Sequence, residues 1–419
     1  MVEKEDKWSA PGIRLSSSVS ADDERSGEPP SAIPVFIGWN NTPELGGKDA
    51  EWSAFLVPVA TWDQWPACLR KEEGSCLQET VRHYFDNGGD KCWVLMAKQP
   101  PLESELTEEW WRKVSVPLLQ EPTITLVAVP QLAERLEAKG GEDANNGTIA
   151  AEFITQWHNL LSACSKRHDL FFVLDAPRRV DIANECIRQL RDMQRLGEGA
   201  MHVALYGPHL VTDYPSCLEK KLPLTLPPCG AVLGVYARTD VAEGVWKAPA
   251  NELLHHVIKP EFDETHTHRW FDVEHESINA TRSFVGRGTR IWGCRTLSHG
   301  TRFRYVQVRR TVTWIEANLK QICRFAVFEP NNEITWFQLR GLCRAWLRRL
   351  WLDGGLAGTD ETDAFSVRIG LHESMTADDI DAGRLVVQIE VAVLHAAEFI
   401  EVKLELLTGH AQVRGSETS

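Results

Sequence analysis

Hydrophobic and polar positions along the chain fall into alternating strand-like and helix-like runs. Ile33 to Gly38 is a short continuous apolar run and reads as the first buried strand. Ser75 to Phe85 has helical spacing and meets a breaker at Asn87-Gly88-Gly89. Cys92 to Ala97 reads as a strand, as does the β-branched run Thr123 to Val129 that ends at Pro130. Ile149 to Cys164 is an amphipathic helix and Leu170 to Leu174 a buried strand. Val180 to Leu196 is a helix and His202 to Tyr206 a further strand. This rhythm predicts a mixed α/β fold whose strands are partly parallel.

The pattern changes after Pro227-Pro228. Val306 to Val312 reads as a strand that leads into a helix near Trp314 to Phe325. Thr335 to Leu352 predicts a long helix, with Trp336, Leu339, Leu342, Trp346 and Leu350 on its apolar side and a stop at Gly354-Gly355. Two strands close the chain. In one, Val387, Ile389, Val391 and Val393 alternate with Gln388 and Glu390; in the other, Ile400, Val402, Leu404 and Leu406 alternate with Glu401, Lys403 and Glu405. Period-two alternation gives each one buried and one wet face. Residues 1–32 are rich in Ser, Asp, Glu and Pro and read as an extended arm, with a short strand candidate at Gly12 to Leu15. The expected organisation is therefore an arm at 1–32, an α/β domain at 33–228, a second domain at 229–394, and a terminal strand and arm at 395–419. No internal repeat is visible.

Composition narrows the class. The chain has 419 residues, 43% hydrophobic and 25% charged, which fits a globular protein of two or three domains. A net charge of -14 argues against a surface made for nucleic acid or anionic lipid. No apolar run approaches the roughly 20 residues that cross a bilayer. The first 23 residues lack an apolar signal core, so synthesis and folding in a cytosol are expected. Ten cysteines are scattered without a CxxC pair, in apolar settings such as Lys91-Cys92-Trp93-Val94. They read as reduced core residues. Sixteen tryptophans fit a much-contacted surface.

Candidate chemistry is sparse. Asp263 to His268 includes His266 and His268, with His275 nearby, but no zinc spacing is matched and solvated loop histidines are expected. Gly286-Arg287-Gly288 resembles a phosphate loop. Its third glycine, Gly293, falls two residues late for a dinucleotide fingerprint and no helix pattern follows, so a tight turn is expected. Asp240, Glu316 and Glu329 are isolated acids without an obvious partner, and no nucleophile elbow, P-loop or zincin motif is present. No cofactor or metal is expected. An α/β enzyme or nucleotide-binding protein whose site is assembled from distant residues stays open as the alternative.

The strongest local signal is Leu226-Pro-Pro-Cys-Gly-Ala-Val-Leu-Gly-Val-Tyr-Ala-Arg-Thr-Asp240, continuing as Gly244-Val-Trp-Lys-Ala-Pro-Ala-Asn251. Asn279-Ala-Thr-Arg282, Ile291-Trp-Gly-Cys-Arg-Thr-Leu297, Tyr305 to Arg310, Phe328-Glu329-Pro330-Asn331, Trp336, Gly383 to Val386 and Ala397 to Ile400 follow in order. Pro11-Gly12-Ile13, Val35 to Gly38, Tyr84 to Gly89, Asp175-Ala176-Pro177 and Ala204 to Tyr206 precede them. Together these motifs resemble the sheath proteins of contractile phage tails and phage-tail-like injection particles, over essentially the whole chain. Cys294 stands where the family usually has alanine, and His395-Ala396-Ala397 replaces a more proline-rich approach to the last strand. The chain also lacks the large outer decorations of some phage sheaths.

The resemblance implies a structural, non-enzymatic subunit with extended terminal β-arms. Such subunits polymerise as stacked hexameric rings around an inner tube and contract without ATP. The arms are implied to exchange strands between copies through Pro11, Gly12, Ile13 and Leu15 at one end and Phe399, Ile400, Val402 and Leu404 at the other. Arg238, Asp240, Trp246, Pro249, Asn251, Trp292, Arg295, Arg309 and Arg310 belong to the family's structural motif and are implied to lock loops, not to catalyse. The helix at 335–352 corresponds to the region facing the inner tube, whose outer surface tends to be acidic. Arg340, Arg344 and Arg348, spaced by four, lie on one stripe of that helix and are expected to touch the tube. The implied partners are copies of this chain, sheath paralogues, the tube protein, and baseplate and cap proteins, with no nucleic acid and no membrane insertion.

Overall fold

Strands that are apolar on both faces need cover on both faces, and the architecture follows from that requirement. A computed structural model describes residues 28–40, 54–65, 76–98, 106–140, 145–193, 196–215 and 223–398. In chain order the first elements are β1 (Pro34–Asn40), β2 (Ala54–Val59), α1 (Leu77–Asp86), β3 (Cys92–Lys98), α2 (Glu108–Val114), α3 (Val116–Gln120) and β4 (Leu126–Ala128). Next come α4 (Gln131–Gly140), α5 (Asn146–Ala163), β5 (Phe171–Asp175), α6 (Val180–Met193), β6 (Val203–Gly207), β7 (Leu210–Pro215), β8 (Pro223–Leu226) and α7 (Cys229–Glu243). The chain continues through β9 (Val257–Pro260), α8 (Glu264–Thr267), β10 (Asn279–Phe284), β11 (Gly288–Trp292), α9 (Val306–Cys323) and α10 (Glu333–Leu352). It ends in α11 (Glu361–Ala364), β12 (Phe365–Arg368), α12 (Ala377–Asp381) and β13 (Gln388–Val391).

Eight strands form one sheet in the order β11-β10-β6-β5-β4-β1-β3-β2. The inner strands run parallel and only the edge pairs β2–β3 and β10–β11 are antiparallel. Each face carries its own core. On one, Trp111, Phe153, Trp157, Ile187 and Leu190 of α2, α5 and α6 cover Val35, Ile37 and Phe172. On the other, Val81 and Tyr84 of α1 and Val232, Val235 and Tyr236 of α7 cover Phe36, Phe171 and Val173. Helices α1 and α7 approach closely because α7 carries Gly230 and Gly234. A Cβ at either would collide with the carbonyl oxygens of Thr80 or Tyr84.

The core crosses the boundary expected at residue 228. α7 packs in the core shared with α1, and β10 and β11 extend the sheet from a stretch more than 70 residues beyond β6. Period-two reasoning also misassigned Val306 to Val312, which is the start of α9 and not a strand. Val306 and Val308 are buried beside Arg309 and Arg310, so tertiary packing overrides the β preference of valine there. The strand expected at Thr123 to Val129 is only three residues long, because Thr125 turns its hydroxyl and backbone to Ser31 and Ile33. Beyond the sheet, α9, α10 and the two-stranded β12–β13 ribbon enclose a smaller core of Ile315, Leu319, Cys343, Leu347, Leu350 and Phe365. Gly286 and Gly288, both at positive φ, form the expected tight turn, joining β10 to β11. The eight cysteines among the described residues are free thiols, six of them buried.

Asp175 ends β5 inside this core. Its carboxylate accepts from the backbone N–H of Cys229, 2.8 Å away, at the first turn of α7. Burial nevertheless pushes the carboxyl up to about 7, against the pull of that N–H and the Cys229 thiol. The folded protein therefore holds a proton between roughly pH 4 and 7 that the unfolded chain releases, and stability falls as pH rises through that window, by about 1.4 kcal/mol per pH unit. Asp175→Asn keeps the acceptor for Cys229 and removes the ionisation. Urea unfolding should show its stability advantage over the wild type growing from about pH 5 to about pH 7 and then levelling. A difference that does not vary with pH would show that Asp175 ionises normally.

Candidate functional site: arginine clamps at the roots of both chain ends

The segment from Gly293 to Arg310 leaves β11, crosses the end of the sheet and enters α9. Asn279 on β10 fixes its start. The Asn279 side chain accepts from the N–H of Arg295 at 2.7 Å and donates to the carbonyl of Arg295 at 2.8 Å and to that of Leu205 at 3.2 Å. Gly293 lies so close to Asn279 that an added Cβ would meet its side-chain oxygen at 2.8 Å. This accounts physically for the Trp-Gly-Cys-Arg run.

The Arg295 guanidinium then closes on Glu398, Nε to Oε1 at 2.8 Å and Nη2 to Oε2 at 2.6 Å. Such a bidentate fork is a strong, geometrically specific ion pair. Nη1 donates to the carbonyls of Asp272 and Val273, and the ring of Phe271 lies 4.5 Å beneath the guanidinium. Tyr305 donates its hydroxyl to Glu398 at 3.1 Å and meets the His395 ring edge-on. Glu398 is the last described residue, so this clamp fixes the C-terminal limit of the described chain.

A second clamp holds the other end. Arg310, in the second turn of α9, forks onto Asp240 of α7 at 3.0 and 2.5 Å. The two side chains are only 3% and 4% exposed. The guanidinium lies 4.7 Å over Tyr236, whose hydroxyl pairs with that of Tyr206 at 2.7 Å. Arg310 Nη2 also donates to the carbonyl of Ser31 at 3.1 Å, and Trp314 donates its indole N–H to the carbonyl of Pro29 at 3.1 Å. The described N-terminal segment is thus held by α9, as the C-terminal segment is held by the stretch before it.

The other motif residues support this frame. Arg238 donates to the carbonyls of Asn87 and Leu253 and approaches Glu252 at 3.4 Å. Arg309 pairs with Glu316 at 3.2 Å and packs over Phe303. Asp240 and Glu316, read from the sequence as isolated acids, are therefore both ion-paired; their partners lie 70 residues away and two helical turns along. Trp246 faces Trp314, which faces Trp346, so indoles run from the end of α7 across α9 to α10. Pro249 is buried, and Asn251 sits at positive φ with its N–H on the Ile291 carbonyl at 2.7 Å. Trp292 is half-exposed and packs on Phe284. Pro11, Gly12, Ile13, Leu15, Phe399, Ile400, Val402 and Leu404 lie outside the described residues.

On α10 the expected face needs correction. Asn332 caps the helix, and Thr335, Leu339, Cys343, Leu347 and Leu350 are buried, but Leu342 is exposed. The arginine stripe is not bare. Arg340 pairs with Glu373 at 2.7 Å and donates to the Ile369 carbonyl; Arg344 and Arg348 lie 2.8 and 3.6 Å from Glu361. The outermost face carries Ile334, Phe337, Gly341, Ala345 and Leu352. Among the histidines, His266 pairs with Asp263 at 2.7 Å, His275 with Asp272 at 2.9 Å, and His268 contacts the Thr265 carbonyl. Among the described residues no group of three or more His, Cys, Asp or Glu side chains is arranged to hold a metal ion.

Sequence reasoning missed Glu398, Tyr305, Trp314 and Asn87 as site residues. Asn87 does more than end a helix: its side chain accepts from the N–H of His255 and donates to the carbonyl of His83, tying α1 to the loop after α7. A buried arginine demands an acid, but nothing local signals that Arg295 finds it 103 residues further on.

Comparison with known proteins bears on this arrangement. The phage tail sheath C-terminal domain family matches residues 298–406, which span α9, α10 and Glu398. No curated protein matches the chain. A chain from the contracted baseplate of the anti-feeding prophage is 30% identical, covers 94% of this chain and 99% of its own length, and superposes with a TM-score of 0.77. A chain from the contracted sheath complex of PVC, an extracellular contractile injection system, is 27% identical over 95% of this chain and 98% of its own, with a TM-score of 0.69. A sheath tail protein of Listeria innocua shares the fold at 10% identity and a TM-score of 0.51. The architecture is that of contractile sheath proteins. The chain belongs to the phage tail sheath family.

The Arg310–Asp240 clamp makes a direct prediction. Asp240→Ala leaves Arg310 buried and unpaired, which should cost about 3–5 kcal/mol. Urea unfolding would register this as a lower midpoint with an unchanged slope. A loss below about 1 kcal/mol would place the pair among surface-like contacts.

Proposed function

We propose that this chain is a contractile sheath subunit that polymerises with copies of itself as stacked rings around an inner tube and drives the tube forward on contraction. The observation that carries the reading is the pair of arginine clamps, Arg295 on Glu398 and Arg310 on Asp240 and Ser31, which fix the described segments next to both chain ends. The β12–β13 ribbon adds support. A two-stranded ribbon is marginal by itself, and among the described residues no third strand joins its sheet. In this reading the strand near Gly12 to Leu15 and the strand Phe399 to Leu406 extend such ribbons in neighbouring copies by β-augmentation.

A catalytic role is disfavoured by the sheet itself. Doubly wound sheets take ligands at the switch point, beyond the carboxyl ends of the strands. Here that point lies between β1 and β4. The Gln131 side chain fills it, accepting from the N–H of Trp39 at 2.8 Å and donating to its carbonyl at 3.4 Å. Leu77 packs against Gly38 beside it. The chain should therefore act as a structural element without turnover. Deleting residues 1–20 should leave a folded monomer that forms no tubes by electron microscopy, while the full chain assembles and neither form hydrolyses nucleotide. Normal tubes from the truncated chain would remove the role of the arm, and hydrolysis that copurifies with the protein would restore the enzyme reading.

The outer face of α10 is the proposed tube contact. Arg340, Arg344 and Arg348 would exchange Glu361 and Glu373 for acids on the tube, each exposed pair being worth only about 0–1 kcal/mol but repeated around every ring. Ile334 and Phe337 supply the apolar part. Replacing the three arginines together with glutamate should shift purified particles from extended sheath–tube complexes to empty contracted sheaths. Extended particles at wild-type abundance would sink this assignment.

A further inference from the structure

Cys323 is the last residue of α9, and Cys343 lies in the middle of α10. Their sulfurs are 4.0 Å apart. A cystine holds its sulfurs about 2.05 Å apart, so a shift of roughly 2 Å would join them. The place for that shift exists: α9 ends at Cys323 and passes into a single 3-10 turn, Arg324–Ala326. Cys323 is half-buried and accessible from solvent, whereas Cys343 is fully buried behind it.

We propose that Cys323 and Cys343 form a redox-closable dithiol, which a low-molecular-weight disulfide such as oxidised glutathione converts into a cystine stapling α9 to α10. The reaction balances as two thiol–disulfide exchanges. The Cys323 thiolate attacks one sulfur of the small disulfide, giving a mixed disulfide on Cys323 and releasing one small thiolate. Cys343 gives up its proton to that base, its sulfur attacks Cys323 Sγ, and the second small thiol leaves. Two protein thiols are oxidised and one small disulfide is reduced to two thiols.

The surroundings select this pair. The two sulfurs lie within hydrogen-bond reach of each other, and the contact with Cys343 holds Cys323 below the ordinary thiol range. Elsewhere burial pushes thiols up, Cys164 to about 11 and Cys294 to about 12, with Cys92, Cys186 and Cys229 also raised well above the ordinary range. Thiolate character and access both favour Cys323 as the first nucleophile. In a reducing cytosol the dithiol stays open; in an oxidising medium it closes. The staple rests on the geometry of one chain and does not require the sheath reading.

Trypsin makes the test clean, since cleavage at Lys320, Arg324, Arg340 and Arg344 puts each cysteine alone in a tetrapeptide, Gln321–Arg324 and Gly341–Arg344. The folded full-length protein is incubated with oxidised glutathione, remaining thiols are alkylated, and the digest is read by mass spectrometry. The two tetrapeptides are expected joined, and separate after reduction. In Cys343→Ser the exchange should stop at a glutathione adduct on Cys323. In Cys323→Ser, Cys343 should take up glutathione at least about tenfold more slowly than Cys323 does in the first variant. Wild-type protein in which Cys343 is recovered alkylated, or joined to another cysteine, would overturn the proposal. So would faster uptake at Cys343 than at Cys323.

Discussion

The structure depends on one buried ion pair, Arg310 with Asp240. Removing two charges from water is costly, and only a fork geometry with the remaining donors satisfied offsets that cost. The pair has the fork geometry, with two short contacts, a carbonyl on the outer side and a tyrosine ring beneath, while the Arg310 Nε–H is buried without a hydrogen-bond partner. Its partners belong to three separate parts of the chain: α7, α9 and the segment at Ser31. A hydrophobic contact in the same place would hold α9 against α7 but would leave its rotation free. The fork fixes that rotation, and with it the direction in which α9 projects from the large sheet towards the small core around Cys343 and Leu347.

Helix α9 is accordingly one rigid bar shared by two cores. Its first turns pack with Val306 in the core beneath the sheet, and its last turns supply Ile315 and Leu319 to the core shared with α10 and β12. The indoles of Trp246, Trp314 and Trp346 continue the contact on a second line. A hinge between the two cores would need a break in this bar, and α9 is continuous over 18 residues. α9 therefore ties the large sheet to the small α10 core without an interruption.

Much of the fold was legible because its signals are local. Continuous apolar runs such as Phe171 to Leu174 can only be buried strands or helix interiors, and their length decides for strands. The end of α1 was marked by Asn87-Gly88-Gly89, and Gly88 indeed sits at positive φ. The start of α9 was not legible. Val306, Val308 and Val312 imitate a strand, and the true determinant is the burial of two arginines, Arg309 paired with Glu316 further along α9 and Arg310 with Asp240 of α7. The arginine stripe on α10 was legible as spacing, yet Glu361 and Glu373 neutralise it, and they reach it only through the turns after the helix. The clamps were half legible. The motifs around Arg238, Arg295 and Arg310 marked the right segments, but each guanidinium meets its partner across 14 to 103 residues. Pairwise contacts at that range leave no periodicity in one sequence.

The two clamps converge on one stretch of the chain. Glu398 is held by Arg295 and Tyr305, and Ser31 by Arg310, so the roots of the two terminal segments attach to one stretch of 16 residues, Arg295 to Arg310. Arg295 is itself held at its backbone by Asn279, and Arg310 at Asp240 of α7, while Trp314, which holds Pro29, also packs on Trp346 of α10. Exposed ion pairs would weaken in salt, but the buried fork of Arg310 is screened far less. The charges are buried unequally: Arg295 and Arg310 hold their acids inside the fold, whereas Arg340, Arg344 and Arg348 pair with Glu373 and Glu361 at its surface.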